Sequence, residues 1–102
     1  ADQFFITVTG PQEGRVRRAA AGLRDGLRSA AGQEPYRGMA LDILGPVPAP
    51  VVKVNNRYRY RVTVIGRNDK TLRGLLSAFM KEFSRRPEHK ALHIYTDCNL
   101  MD

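Results

Sequence analysis

The stretch VVKVNNRYRYRV, residues 51–62, decides the fold predicted for this chain. Arginine and tyrosine alternate in it, and a period of two is typical of a β-strand whose two faces differ. Asn55 and Asn56 precede the alternation, and asparagine tolerates the positive φ that a two-residue turn requires. We therefore predict a β-hairpin of residues 51–54 and 57–66, with arginine along one face of its second strand.

The flanking segments predict the rest of the sheet and two helices. Residues 3–10 and 39–45 suit strands, and each ends in glycine followed by proline. Apolar residues recur at helical spacing over residues 13–31. Asn68 or Asp69 starts a second helix over residues 68–86, and residues 91–97 form the last strand.

The resulting element order is β-α-β-β-α-β. Residues 46–50, PVPAP, cannot form a helix and predict a stiff extended connector. The hairpin strand of residues 51–54 then forms an extra short arm. We expect an α+β, ferredoxin-like split β-α-β fold, a two-layer sandwich in which the helices cover one sheet face and leave the other open.

Length and charge narrow the functional class. The chain has 102 residues, which predicts a single domain, 1–102. Its 17 Lys and Arg against 10 Asp and Glu give a net charge of +7, which favours polyanions such as nucleic acid, acidic peptides or anionic lipid. Plain solubility is the alternative explanation of this charge.

The single cysteine, Cys98, excludes an internal disulfide and a cysteine-based zinc site, and it fits a reducing cytosol. No apolar run approaches the roughly 20 residues of a membrane span, and no signal peptide is visible. Because the chain begins with Ala1 and enters a strand at once, we expect it to be a piece of a longer protein.

The open face of the sheet is the first candidate site. Strand alternation sends Tyr58 and Tyr60 toward the helices and the arginines outward. Guanidinium groups beside aromatic rings bind a single strand by phosphate pairing and base stacking. The candidate residues are Arg59, Arg61, Phe5, His93 and Tyr95.

Two alternatives stay open for this face, which are ordinary cross-strand pairs and packing against another domain. An RNA-recognition module would place its aromatic residues on the open face, whereas the tyrosines of residues 57–61 have the opposite parity. On the first helix, Arg17, Arg24 and Arg28 fall on one stripe, which contacts phosphate or forms a solvated face.

Catalysis finds little support in the sequence. His89 and His93 lie across a proline-flanked loop and a strand, which is not a helical metal pair. No phosphate-cradling G-x-x-x-x-G-K-[ST] loop occurs. We predict no catalytic residue, cofactor or metal site in this chain.

Residues 43–66 resemble the C-terminal domain of the primosomal protein N′ family, the PriA replication-restart DNA helicases. The matching motifs are Leu44-Gly45-Pro46, Pro48-Ala49-Pro50, Lys53 and Arg57-Tyr58-Arg59-Tyr60. The opening FFITVTG with its Arg/Ala-rich helix and the closing IYTDCNLMD are also similar, although Cys98 and Leu100 replace the usual Val and Pro. The likeness covers nearly the whole chain.

The resemblance implies that this is the last domain of a multidomain bacterial helicase that recognises abandoned replication forks in the cytoplasm. Its fold would be similar to a circularly permuted small-subunit ribosomal protein. ATP, magnesium and zinc would bind upstream domains of the parent. The expected partners are branched and single-stranded DNA, the upstream helicase domains and the acidic tail of the single-stranded-DNA-binding protein, with no membrane.

Two functional hypotheses follow. The first is a DNA-binding domain that uses the open face, or a basic hairpin arm in which Lys53 and Arg57 reach a phosphate backbone. The second is a protein-docking module that packs on the helicase core and has no DNA affinity of its own.

Overall fold

The computed structural model describes residues 1–99, so the Leu100 comparison with the family tail lies outside the described residues. The element order is β-α-β-β-α-β, as predicted. The elements are β1 (Asp2–Gly10), α1 (Glu13–Ala31), β2 (Asp42–Val54), β3 (Arg57–Gly66), α2 (Lys70–Ser84), a short 3-10 helix (Pro87–His89) and β4 (His93–Asn99).

The sheet has four strands in the order β2-β3-β1-β4, and each pair of neighbours is antiparallel. Strands β1 and β2 therefore run parallel with β3 between them, and β3 and β4 run parallel with β1 between them. Side chains from both helices and from one face of the sheet form the core. The predicted α+β two-layer fold is confirmed.

Strand alternation places the core as the sequence predicts. The inward residues of β1, among them Ile6 and Val8, are fully buried, and so are Val62 and Val64 of β3. Tyr60 is buried in the same layer. The parity of the hairpin residues is thus confirmed, with tyrosines toward the helices and arginines on the open face.

Both helices begin close to their predicted positions, and the second begins at a capping side chain. Helix α1 has the predicted bounds, and the Asp69 carboxylate caps α2 by accepting from the Leu72 N–H at 2.9 Å. Helix α2 ends two residues earlier than predicted, because the N–H groups of Arg85 and Arg86 bond the carbonyls of Glu82 and Phe83 in a tighter turn. Neither helix of the described chain has the length and apolar character of a membrane span.

The last strand also differs from its predicted bounds. Strand β4 begins at His93 rather than at residue 91, since the 3-10 helix and the bond from Leu92 N–H to His89 O occupy the residues before it. His89 is buried, and its ring stacks on Phe83 with centroids 4.1 Å apart. The turn between α2 and β4 is therefore packed into the core.

Strand β2 differs most from the prediction. The strand predicted over 39–45 begins only at Asp42, and its residues 42–45 form one strand with the connector of 46–50 and the arm of 51–54. This strand pairs with β3 through two register irregularities. Proline is tolerated because β2 is an edge strand, where a missing N–H removes no ladder bond on the outer side. There is no separate arm, since Gly10 at the end of β1 already pairs with Tyr58.

Two local conformations shape the β2–β3 hairpin. Asn55 and Asn56 have φ of 52° and 62°, which confirms the two-residue turn. Gly45 has φ of +102°, and a Cβ there would lie 2.8 Å from the carbonyl oxygen of Arg61. Glycine at this position therefore allows the first irregularity of β2 to approach β3 closely.

Candidate nucleic-acid interface

The open face brings together side chains from three strands. The register places Thr7 of β1 between Arg61 and Tyr95, and Thr9 between Arg59 and His93. Phe5 lies one pleat further along β1, opposite Thr63 and Asp97. All five predicted open-face residues thus share one surface, namely Phe5, Arg59, Arg61, His93 and Tyr95.

Arg59 is held by two neighbours on this face. Its guanidinium donates to the carbonyl oxygen of Val51 at 3.0 Å and to the hydroxyl oxygen of Tyr95 at 3.1 Å. These bonds tie β3 to both edge strands. The other three N–H groups of the guanidinium have no bond to a described residue, and they are available to an anion above the sheet.

Arg61 lies against an aromatic ring. The centre of its guanidinium is 4.4 Å from the Phe5 ring centroid, within the range of a cation–π contact. Its buried Nε has no hydrogen-bond partner among the described residues. The Arg61 charge is therefore not consumed by a protein acceptor, while Phe5 has one ring face covered.

The two hairpin candidates lie on different faces. Arg57 donates to the carbonyl oxygen of Thr9 at 3.1 Å and to that of Ala91 at 3.4 Å, at the end of the open face. Lys53 pairs with Tyr58 on the helix side, with its Nζ 5.2 Å from the ring centroid. The structure brings Arg57 to the open-face set and does not bring Lys53 there.

The stripe on helix α1 lies on the opposite layer from the open face. Arg24 donates to the carbonyl oxygen of Gly45 at 2.9 Å and pairs with Asp25, and Arg28 donates to the carbonyl oxygen of Ile43. These contacts fasten α1 to the first irregularity of β2. Arg17 is exposed. The contacts of Arg24 and Arg28 hold the helix against β2. A role of Arg17, Arg24 and Arg28 in DNA binding stays a prediction.

Sequence reasoning missed an apolar rim beside the arginines. Leu44, Val47 and Val54 pair with β3 residues whose side chains lie on the open face, so they lie on the same face. Their exposed fractions are 49%, 51% and 39%. The available signal was the near absence of polar residues from 43 to 52. A proline-rich connector obscured it, because a connector has no predicted face.

Four described groups have shifted pKa values, among them Arg86, whose pKa is raised by its hydrogen bond to Glu82. The hydrogen bond from the Tyr60 hydroxyl to Glu13 raises the pKa of this tyrosine above its ordinary value. A hydrogen bond from Arg24 lowers the pKa of Asp25, and one from Arg86 lowers that of Glu82. Tyr60 is thus a packed strut between β3 and α1, as its parity predicts.

Metal chemistry has no site in the described part of the chain. Within residues 1–99, no group of three or more His, Cys, Asp or Glu side chains is arranged to hold a metal ion. His89 uses Nδ1 at 2.8 Å from the carbonyl oxygen of Phe83, whereas His93 is exposed on the open face. The open-face arginines and rings described above offer binding by charge, hydrogen bonding and stacking.

Comparison with known proteins adds a family. A model of the primosomal protein N C-terminal domain matches residues 1–99. The replication restart protein PriA of Bacillus subtilis (strain 168) is 31% identical over 62 residues, which make up 61% of this chain. The chain covers 8% of the length of that relative.

Solved structures share the fold at low sequence identity. The de novo designed protein Foldit4 superposes with a TM-score of 0.64 at 14% identity, over 99% of this chain and 98% of that chain. A putative amidohydrolase/peptidase from Burkholderia cenocepacia superposes with a TM-score of 0.56 at 13% identity, over 97% of this chain and 27% of that chain. At these identities the likeness concerns the fold alone.

Proposed function

Because the chain belongs to the primosomal protein N C-terminal domain family, we propose that it is a non-catalytic DNA-binding domain of a replication-restart helicase. The open face binds a single DNA strand, such as the one exposed at a branched fork. The observation that supports this most strongly is the cluster of Arg59 and Arg61 beside Phe5, His93 and Tyr95 on one surface.

Each part of the surface has a defined task in this proposal. Arg57, Arg59 and Arg61 project from alternate positions of β3, so they form a cationic row along the strand. Tyr95 is 40% exposed and His93 is exposed, so their rings offer stacking surfaces for bases. Phosphate contact positions the strand without reading its sequence. We therefore expect weak sequence preference.

The wider context of the domain is also a proposal. The parent helicase hydrolyses ATP with magnesium and holds zinc in domains upstream of this one, in the bacterial cytoplasm near the nucleoid. The acidic tail of the single-stranded-DNA-binding protein is a second anionic partner that suits a chain with a net charge of +7.

The apolar rim supports a second candidate function. Leu44, Val47 and Val54 expose large apolar side chains next to the cationic row. Contiguous apolar surface rimmed by polar groups is typical of protein interfaces. In this alternative the same face docks on the helicase core or on an acidic peptide, and the isolated chain has no DNA affinity.

Salt titration separates the two candidates. We expect fluorescence anisotropy of labelled dT20 to show binding by the chain that weakens as KCl rises from 20 to 200 mM. Three arginine–phosphate contacts predict a slope of log affinity against log salt of about −2, at about −0.7 per phosphate of a single strand. Absence of binding at 20 mM KCl would remove the DNA proposal and leave the docking alternative.

A further inference from the structure

The positive charge of this chain is concentrated at one end of the molecule. The sheet register brings the end of β1 beside the start of β3 and the start of β4. The first turn of α1 follows β1, and the last turn of α2 leads into β4, so both lie at this same end. Three sequence segments therefore meet there, which are residues 13–18, 53–57 and 81–90.

These three segments, which we call the basic pole, hold nearly all of the surplus charge. They contain nine Lys and Arg residues against three Asp and Glu residues. The rest of the chain contains eight Lys and Arg residues against seven Asp and Glu residues. The basic pole thus accounts for six of the seven net positive charges, although it is about a fifth of the sequence.

Contacts between the segments hold the basic pole together. Arg15 donates to the carbonyl oxygen of Glu88 at 3.3 Å, which joins α1 to the 3-10 helix. Arg57 donates to the carbonyl oxygen of Ala91 at 3.4 Å, which joins the hairpin to the turn that follows residues 81–90. These two bonds therefore fix the guanidinium groups of Arg15 and Arg57 at this end of the molecule.

Two of its three acidic side chains are already engaged. Glu82 forms a bidentate pair with Arg86, and Glu13 accepts from the Tyr60 hydroxyl at 2.7 Å. In contrast, the side chains of Arg18, Lys81 and Arg85 are exposed and form no hydrogen bond or ion pair within the described range. The free charge of the pole is thus close to its formal surplus.

We propose that the basic pole binds the phosphate backbone of duplex DNA. The aromatic rings within its three segments offer no open stacking surface, since Phe83 is buried. Without such surfaces, the bases of a single strand contribute no stacking energy to binding at the pole. A duplex, in contrast, presents one negative charge per about 1.7 Å of its axis. Point charges spread across one end of the domain match that array.

The inference rests on the proposed function, because both require that the chain binds DNA. It assigns the duplex arm of a fork to the basic pole and the single-stranded arm to the open face. Arg57 belongs to the basic pole and also lies at the end of the open face. A strand that leaves a duplex bound at the pole can pass Arg57 directly onto the open face. The domain would then recognise the junction itself.

A pair of charge-matched variants tests this assignment. The pole variant carries Arg18→Gln, Lys81→Gln and Arg85→Gln, and the control carries Arg37→Gln, Arg67→Gln and Lys70→Gln at the other end. Both lose three charges at exposed positions. Affinities of the whole 102-residue chain are measured by anisotropy for a hairpin-closed 20-bp duplex and for dT20, after circular dichroism melting confirms that both variants fold.

We expect the pole variant to bind the duplex at least ~10-fold more weakly at 50 mM KCl and to lose up to ~2.7 units of salt slope. Its dT20 affinity and both affinities of the control stay within about twofold of wild type. The inference would be overturned if the pole variant and the control lost equal affinity for the duplex, or if the pole variant lost equal affinity for the duplex and for dT20. It would also be overturned if poly-glutamate at matched charge displaced the duplex completely. Wild-type binding to dT20 without binding to the duplex would overturn it and leave the proposed function standing.

Discussion

Replacing Arg59 and Arg61 together with alanine is expected to weaken binding of dT20 by about 30- to 150-fold at low salt. This corresponds to about 2–3 kcal/mol for the loss of two charge-assisted contacts to phosphate. The two guanidinium groups lie two residues apart on β3, and no acidic side chain pairs with either within residues 1–99. Their charge is therefore available to a ligand.

The control for this double variant is Arg67→Ala with Lys70→Ala, which removes the same charge from exposed positions at the opposite end. Because Arg59 also bonds Val51 and Tyr95, thermal melting must accompany the titration. Lysine at both positions is expected to restore part of the affinity, since it keeps the charge and loses the planar fork. An alanine variant that folds and binds dT20 like wild type would remove the open face from the account.

Phe83→Ala is expected to have the largest effect on stability, a loss of about 3–5 kcal/mol in the free energy of unfolding. Phe83 is 1% exposed and stacks with Phe79 at 5.6 Å and His89 at 4.1 Å between ring centroids. The guanidinium of Arg86 lies 5.1 Å from its centroid. The substitution therefore leaves a cavity beneath the turn between α2 and β4, which belongs to the 81–90 segment of the basic pole.

Chemical denaturation and thermal melting measure this effect. A domain of this length has about 5–15 kcal/mol in total, so we expect a fall in Tm of about 12 °C or more. Phe83→Leu, which keeps much of the volume, should cost less than about 1.5 kcal/mol. Ser77→Ala on the exposed face of α2 serves as the matched control and should change stability by less than about 0.5 kcal/mol. A Phe83→Ala variant as stable as wild type would contradict the packing described for this turn.

The parts of the fold that repeat with a clear period were predictable from sequence. Strand β1, strand β3 and helix α1 bury one face at a period of two or 3.6, and their bounds agree with the prediction to within a residue. The same alternation placed Arg59 and Arg61 on the open face correctly. The spacing of apolar residues, however, does not predict which distant backbone groups a side chain contacts.

Strand β2 shows why the remainder was not predictable. Its prolines hide an edge strand, and its two register irregularities interrupt the alternation, so that Leu44, Val47 and Val54 all pair with residues on the open face of β3. Arg24 and Arg28 bond the carbonyls of Gly45 and Ile43, which are more than ten residues away in sequence. Contacts of this kind depend on the tertiary position of β2, and no local pattern encodes it.

In the proposed function, a single DNA strand binds the open face of the sheet. Two-dimensional ¹H–¹⁵N NMR spectra of the wild-type chain, titrated with dT12, locate the bound strand residue by residue. We predict that the largest shifts occur at the Nε–Hε signals of Arg59 and Arg61 and at the backbone amides of Thr7, Thr9 and Tyr95. Shifts confined to helix α1 and the outer edge of β2, with these five signals unmoved, would contradict the account.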